Sequence, residues 1–169
     1  MGDAKELTRQ ALVTGAVASV LSTAVLALCG QVENRSPAGP INGPSQWIFG
    51  RRAARVRKPS VRHTLTGALI HHAMATGWAL LHARAFGRRE PRLPLAKRLG
   101  HAAVTATVAN IVDFQLTPKR FRPGFEQQLS RKALFAVYAA FALGLALATP
   151  AARRGSLTKR RASTSARAG

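Results

Sequence analysis

Two adjacent histidines, His71 and His72, stand inside an uncharged run, Thr64 to Ala83, TLTGALIHHAMATGWALLHA. Imidazole titrates near neutrality and both donates and accepts hydrogen bonds, which suits a proton relay, a polar binding site or a metal ligand. A second polar pair, Asn110 and Asp113, interrupts another apolar run, Leu99 to Leu116. A lone carboxylate in apolar surroundings protonates or takes a partner, and imidazole is the nearest donor on offer. The sequence therefore predicts a contact from His71 or His72 to Asp113, with Asn110 in support.

Three chemistries fit such a cluster. The first is inter-helix glue, hydrogen bonds of about 1 kcal/mol each that fix register. The second is a proton relay or substrate-binding site, since intramembrane ionisable groups mark pathways. A metal site comes last, because successive helical residues point about 100° apart and zinc asks for three or four ligands. His63, His82 and His101 fall near helix ends, where solvated imidazoles are expected. No zinc-protease motif, glycine-rich phosphate loop or nucleophile elbow occurs. No catalytic residue, cofactor or metal is assigned.

The elements that must position these groups are four apolar segments, at residues 11–29, 64–83, 99–116 and 133–149. They predict an all-α integral membrane protein, a four-helix bundle occupying residues 11–149 between a polar N-terminus (1–10) and a disordered basic tail (150–169). The first segment, ALVTGAVASVLSTAVLALC, would span about 28 Å, close to the hydrocarbon thickness of a bilayer. The third can cross only if Asn110 and Asp113 are buried against other helices. In antiparallel neighbours the histidines and the Asn110–Asp113 pair fall at similar depth. Gly15, Ser19, Thr23 and Ala27 repeat every four residues on the first helix, and Ala136, Ala140, Gly144 and Ala148 do so on the fourth. Small residues at that spacing predict a close pairing of these two helices, or of two subunits.

Composition bears on the choice of solvent. The chain carries 26 Lys and Arg against 6 Asp and Glu, a net charge of +20, yet is 47% hydrophobic. The two coexist because the charge lies between the apolar runs. That is the pattern of basic loops meeting anionic lipid headgroups, and it argues against nucleic acid as a partner. The single cysteine, Cys29, excludes an intramolecular disulfide. Basic residues divide almost evenly between the two sides, so orientation is left open.

The first loop divides in two. Ser36 to Pro44, with three prolines and two glycines, predicts irregular chain, after which Ser45 would cap a short interfacial helix from Gln46 to Lys58 with Trp47 at headgroup level. Glu126, in RPGFEQQLS, is placed to reach an arginine between Arg51 and Arg62. With Asn42, Ser45 and Trp47 it would form a lid over the cluster.

The stretches INGPSQWIFG, HHAMATGWALLHA and VDFQLTPKRFRPGFEQQLS resemble those of small multi-pass bacterial inner-membrane proteins that carry no assigned activity. The resemblance covers roughly Ile41 to Ala146. It implies an Asn, a Ser-His pair and an aromatic in the first loop, and a histidine pair and an aspartate in the helices. Asn42, Ser45, His71, His72 and Asp113 match, whereas Gln46 stands in place of the loop histidine, which weakens any metal site that needs it. The leading expectation is a structural or accessory membrane protein held by its polar cluster. The alternative is a small oligomeric transporter or proton-coupled channel using His71, His72 and Asp113.

Overall fold

The uncharged run after Arg9 has no proline to stop it, and helix extends through it in both directions. The protein, a computed structural model, is described over residues 2–87 and 89–148. Thr149 and the tail expected at 150–169 lie outside the described residues. Helix α1 covers Gly2–Asn34, well beyond the expected 11–29. It ends where Arg35 takes the left-handed conformation at φ 52° and the Ser36 N–H turns back to the Gly30 carbonyl at 3.1 Å. The other long helices are α4, Thr66–Phe86, α5, Leu95–Ile111, and α6, Arg131–Ala148. Two short helices, α2 (Ala38–Asn42) and α3 (Gln46–Phe49), lie between α1 and α4. The described residues are helix, turn and loop throughout, so the chain is all-α.

Helix α1 is the centre of the bundle and packs along both α4 and α6, while α6 also carries α5. The pairings are antiparallel. Gly15 meets Thr76 and Ser22 meets His71 across α1 and α4. Gly144 meets Ala18 across α6 and α1, with Ser130 bonded to Glu33 one end further on. The small residues make these approaches possible: a Cβ on Gly15 would fall 2.7 Å from the Thr76 Cα. A Cβ on Gly144 would run into the backbone of Ala18. Thus Gly144 brings the first and last helices together, but against Ala18, outside the predicted stripe, and Gly15 of that stripe faces α4. On α6 the buried line is Ala133, Val137, Phe141, Gly144 and Leu145, so Ala136 and Ala140 sit beside it, half-buried.

The core is built from small side chains. Ala18, Ala75, Ala79, Ala102 and Ala106 pack with Phe141 and Leu145, and Thr14, Ser19 and Ser22 are buried among the helices. A second cluster buries Leu26, Phe125, Leu129 and Val137, while many other large apolar side chains point outward: Val20, Leu28, Leu69, Leu81, Val104, Val108, Phe135 and Leu147 are all exposed. Among the described residues two helices, Lys5–Asn34 and Arg131–Ala148, are long and apolar enough to cross a membrane.

The loops depart from expectation. Ser36 to Pro44 does hold a short helix, α2. Pro37 stands at its N-cap and Pro40 in its first turn, where a missing N–H breaks no helical bond. The interfacial helix from Gln46 to Lys58 does not form as one piece. Gly50, at φ 84°, ends α3, and a separate turn of 3-10 helix follows over Arg51–Arg55. Ser45 makes no capping bond; its Oγ lies 3.3 Å from His63 Nδ1. Trp47 is half-buried, its indole N–H donating to the Arg122 carbonyl at 3.0 Å, so it is turned into the protein.

That bond is one of a set that joins the first and third loops into a single cap. Gln46, fully buried, donates from Nε2 to the same Arg122 carbonyl at 2.7 Å. Gln128 Nε2 donates to the Gly39 carbonyl at 2.8 Å. Asn42 Nδ2 donates to the Val56 carbonyl at 2.8 Å, and its Oδ1 accepts from Thr64 at 2.8 Å, which fastens the cap to the start of α4. Gly43 and Gly124 approach so closely that a Cβ on either would strike the other's backbone, and Gly124 adopts φ 87°.

Candidate functional site

Beneath this cap lies a pocket. Pro44 and Trp47 of the first loop and Pro123 and Phe125 of the third form its roof. Its walls are α4, through Ile70, His71, Met74 and Trp78, and α5, through Ala109 and Asp113. Ser22 from α1 and Val137, Tyr138 and Phe141 from α6 close the back. The open space measures about 60 Å³. That holds a few waters or one small polar group. Helices α4 and α5 touch over a shorter stretch than the other neighbours, and the pocket occupies the gap between them.

The spacing on α4 explains its contribution. Gly67, His71, Ala75, Trp78 and His82 recur every three or four residues and all turn inward. His71 Nε2 lies 2.9 Å from Ser22 Oγ, and its ring meets Phe125 edge-on at 6.4 Å. His72, one residue on, points the other way and is exposed. Asp113 is carried by the wide turn Val112–Leu116 that ends α5, where the Thr117 N–H reaches the Val112 carbonyl at 2.8 Å. Such turns recur where a helix must present a functional side chain.

The expected imidazole–Asp113 bond is not made. Asp113 Oδ2 instead accepts a 2.6 Å bond from the Tyr138 hydroxyl of α6. His71 and Asp113 still line one pocket, each held by a different neighbour. A phenol donates to a buried carboxylate as an imidazole would, and Tyr138 takes the place expected of His71 or His72. Asn110 is half-buried and lies outside the lining. Ser22 and His71 have the look of a nucleophile and base. The third member of a triad is missing, however, since the acid of the pocket is engaged by Tyr138.

Glu126 does not pair with an arginine of the first loop among the described residues; Arg55 reaches its neighbour Gln127 instead, at 3.4 Å. Glu126 Oε2 is buried without a hydrogen-bond partner. Burial raises its carboxyl above the ordinary value, against backbone hydrogen bonds and the nearby Arg122 charge, which lower it. Asn42 and Ser45 belong to the cap and stay out of the pocket lining.

A second polar cluster lies at the opposite end of α4. Glu90, 0% exposed, accepts from His82 Nε2 at 3.1 Å, and its Oε1 lies 3.2 Å from His101 Nδ1. His82 Nδ1 lies 2.8 Å from Thr105 Oγ1. Phe86 stacks on His101 at 4.3 Å. These histidines were expected in solvent because they are near helix ends. His82 is instead 3% exposed, since α5 and the turn Glu90–Arg92 fold over it. The one signal in the sequence was Glu90 itself, a rare acid in an arginine-rich turn. Among the described residues no group of three or more His, Cys, Asp or Glu is arranged to hold a metal ion.

Set against protein-family models, curated proteins and solved structures, the chain matches none.

Proposed function

We propose that this protein is a four-helix integral membrane protein that binds a small molecule in the pocket beneath its cap, without catalysing a reaction on it. The carrying observation is the inverted placement of its side chains. Alanine, glycine, serine and threonine supply much of the interior, with Leu26, Val137, Phe141 and Leu145 buried among them, while many leucines and valines and Phe135 face out across the four long helices. In water such a surface would associate; in lipid it is the matched solvent, and small residues are what bring helices together there. The charges fall at the helix ends, as bilayer crossing requires. Two helices already meet the length and hydropathy of a span. On this reading α4 and α5 cross as well, with His71, His82 and Asp113 turned to the interior and His72 facing out. A bacterial inner membrane is the location that the resemblance implies.

Binding is favoured over glue alone because the pocket holds unfilled space between its two polar pairs. Each pair does tie neighbouring helices, Ser22–His71 joining α1 to α4 and Asp113–Tyr138 joining α5 to α6. A scaffold would need those bonds but not the cavity between them. Membrane fractionation tests the reading. The protein is expected to stay with the membrane through high salt and alkaline carbonate and to leave only with detergent. Release by salt would overturn it.

A further inference from the structure

Trp47, Trp78, Phe125, Tyr138 and Phe141 surround the pocket, and Asp113 is the only acid among its lining residues. No lysine or arginine lines it, in a chain with 26 of them. Among the described residues Asp113 has the neutral hydroxyl of Tyr138 as its partner and no cation. The +20 protein thus lines this aromatic pocket with an acid and with neither lysine nor arginine.

Aromatic faces attract cations through their quadrupole, most strongly where water is excluded. A bulky ammonium gains from rings and carboxylate together, because it donates no strong hydrogen bonds and loses little on leaving water. Simple metal cations want several oxygen ligands, which this lining does not offer. We propose that the pocket binds an organic ammonium group with apolar substituents, held between Asp113 and the aromatic rings. The proposal rests on the pocket being a ligand site. The source of the group is either a lipid headgroup entering between α4 and α5 or a free lipophilic cation.

The two tryptophans of the chain, Trp47 and Trp78, both line the pocket, so intrinsic fluorescence reports on it directly. The full chain, purified in a nonionic detergent, is titrated with choline, whose trimethylammonium head is compact, and, separately, with its uncharged isostere 3,3-dimethylbutan-1-ol. The work is done at pH 8, above the ordinary imidazole range. A saturable fluorescence change with the ammonium, and a response at least about tenfold weaker with the isostere, is the expected result. Asp113→Asn weakens ammonium binding by about tenfold or more, and Asp113→Glu retains it. Equal response to both ligands, no response to either, or full ammonium binding by folded Asp113→Asn overturns the proposal. If Asp113→Asn loses its helical circular dichroism, the isostere comparison on the unmutated protein decides alone. In nanodiscs, competition from phosphatidylcholine but not phosphatidylglycerol identifies the headgroup as the source. Unchanged affinity in both identifies the free cation. A protein that washes off the membrane with salt yet binds the ammonium fails the membrane reading and keeps this one.

Discussion

Ser22 Oγ and His71 Nε2 stand 2.9 Å apart across the α1–α4 interface, with Ser22 fully buried. The serine hydroxyl also reaches the Ala18 carbonyl at 2.8 Å. One hydroxyl proton serves one acceptor at a time, so with that proton on Ala18 the imidazole donates to the serine oxygen. Ser22→Ala removes this acceptor and leaves His71 unsatisfied. A loss of about 1–2 kcal/mol is expected in thermal unfolding followed in detergent. His71→Ala in the Ser22→Ala background should then add less than it does alone. Strictly additive losses would show that the two side chains do not interact.

Gly67 and Gly77 lie on the same helix and make opposite demands. A Cβ at Gly67 would land on the Ile41 carbonyl, where the cap rests on α4, while a Cβ at Gly77 meets nothing within 4 Å. Gly67→Ala is therefore expected to lift the cap, lower the melting temperature and expose the first loop to protease. Gly77→Ala should be neutral or stabilising by up to about 1 kcal/mol, the gain in helix propensity over glycine. Limited proteolysis of the two variants side by side separates the cases. Equal cleavage of both would refute the close contact at Gly67.

Much of the bundle was legible because apolar runs without charge can do little else than form helix. The inward face of α4 was readable too, through its small residues and histidines at helical spacing. What escaped was set by distant partners. Asn110, expected to support the cluster, stands one position past the observed line of Ala102, Thr105, Ala106 and Ala109 on α5. One residue of phase is beyond a sequence with few strong apolar residues. Tyr138 was passed over as the partner of Asp113, since nothing local links positions 25 apart. A lid from Asn42, Ser45, Trp47 and Glu126 was legible, but the bonds that close it were not, because they run through Gln46, Gln127 and Gln128, polar residues of loops that ordinarily face water. Glycine at Gly43 and Gly124, whose backbones touch, was the one local sign of it.

Glu90 sits between two imidazoles, 3.1 Å from His82 and 3.2 Å from His101, and is fully buried. Removing one member of a buried, hydrogen-bonded acid–base pair leaves the other without a partner, which is worth about 3–5 kcal/mol. Glu90→Ala is expected to fall in that range, and Glu90→Gln, which keeps an acceptor oxygen, below it. His101→Ala should be milder than His82→Ala, because the His101 side chain is 30% exposed and its place can be taken by water. Unfolding midpoints for the four variants give the order. A mild effect of Glu90→Ala would mean that the turn closes over α4 without it.

Glu126 makes stability depend on pH with a sign opposite to that of a paired carboxylate. Its folded-state affinity for a proton exceeds that of the unfolded chain, because burial raises the carboxyl from its ordinary value of 4.5. The folded protein then binds more protons than the unfolded one across the window between the two values, so stability falls as pH rises through it. Below the unfolded value both states are protonated and the penalty vanishes; above the folded value it is complete. The buried Oε2 without a partner is the structural origin of the penalty. Glu126→Gln removes the charge. The variant is expected to melt higher than the unmutated protein at neutral pH and to converge with it below about pH 4.5, the unfolded carboxyl range. Melting curves from pH 4 to pH 8 on both proteins test this, and an advantage that persists unchanged into acid would assign the effect to packing.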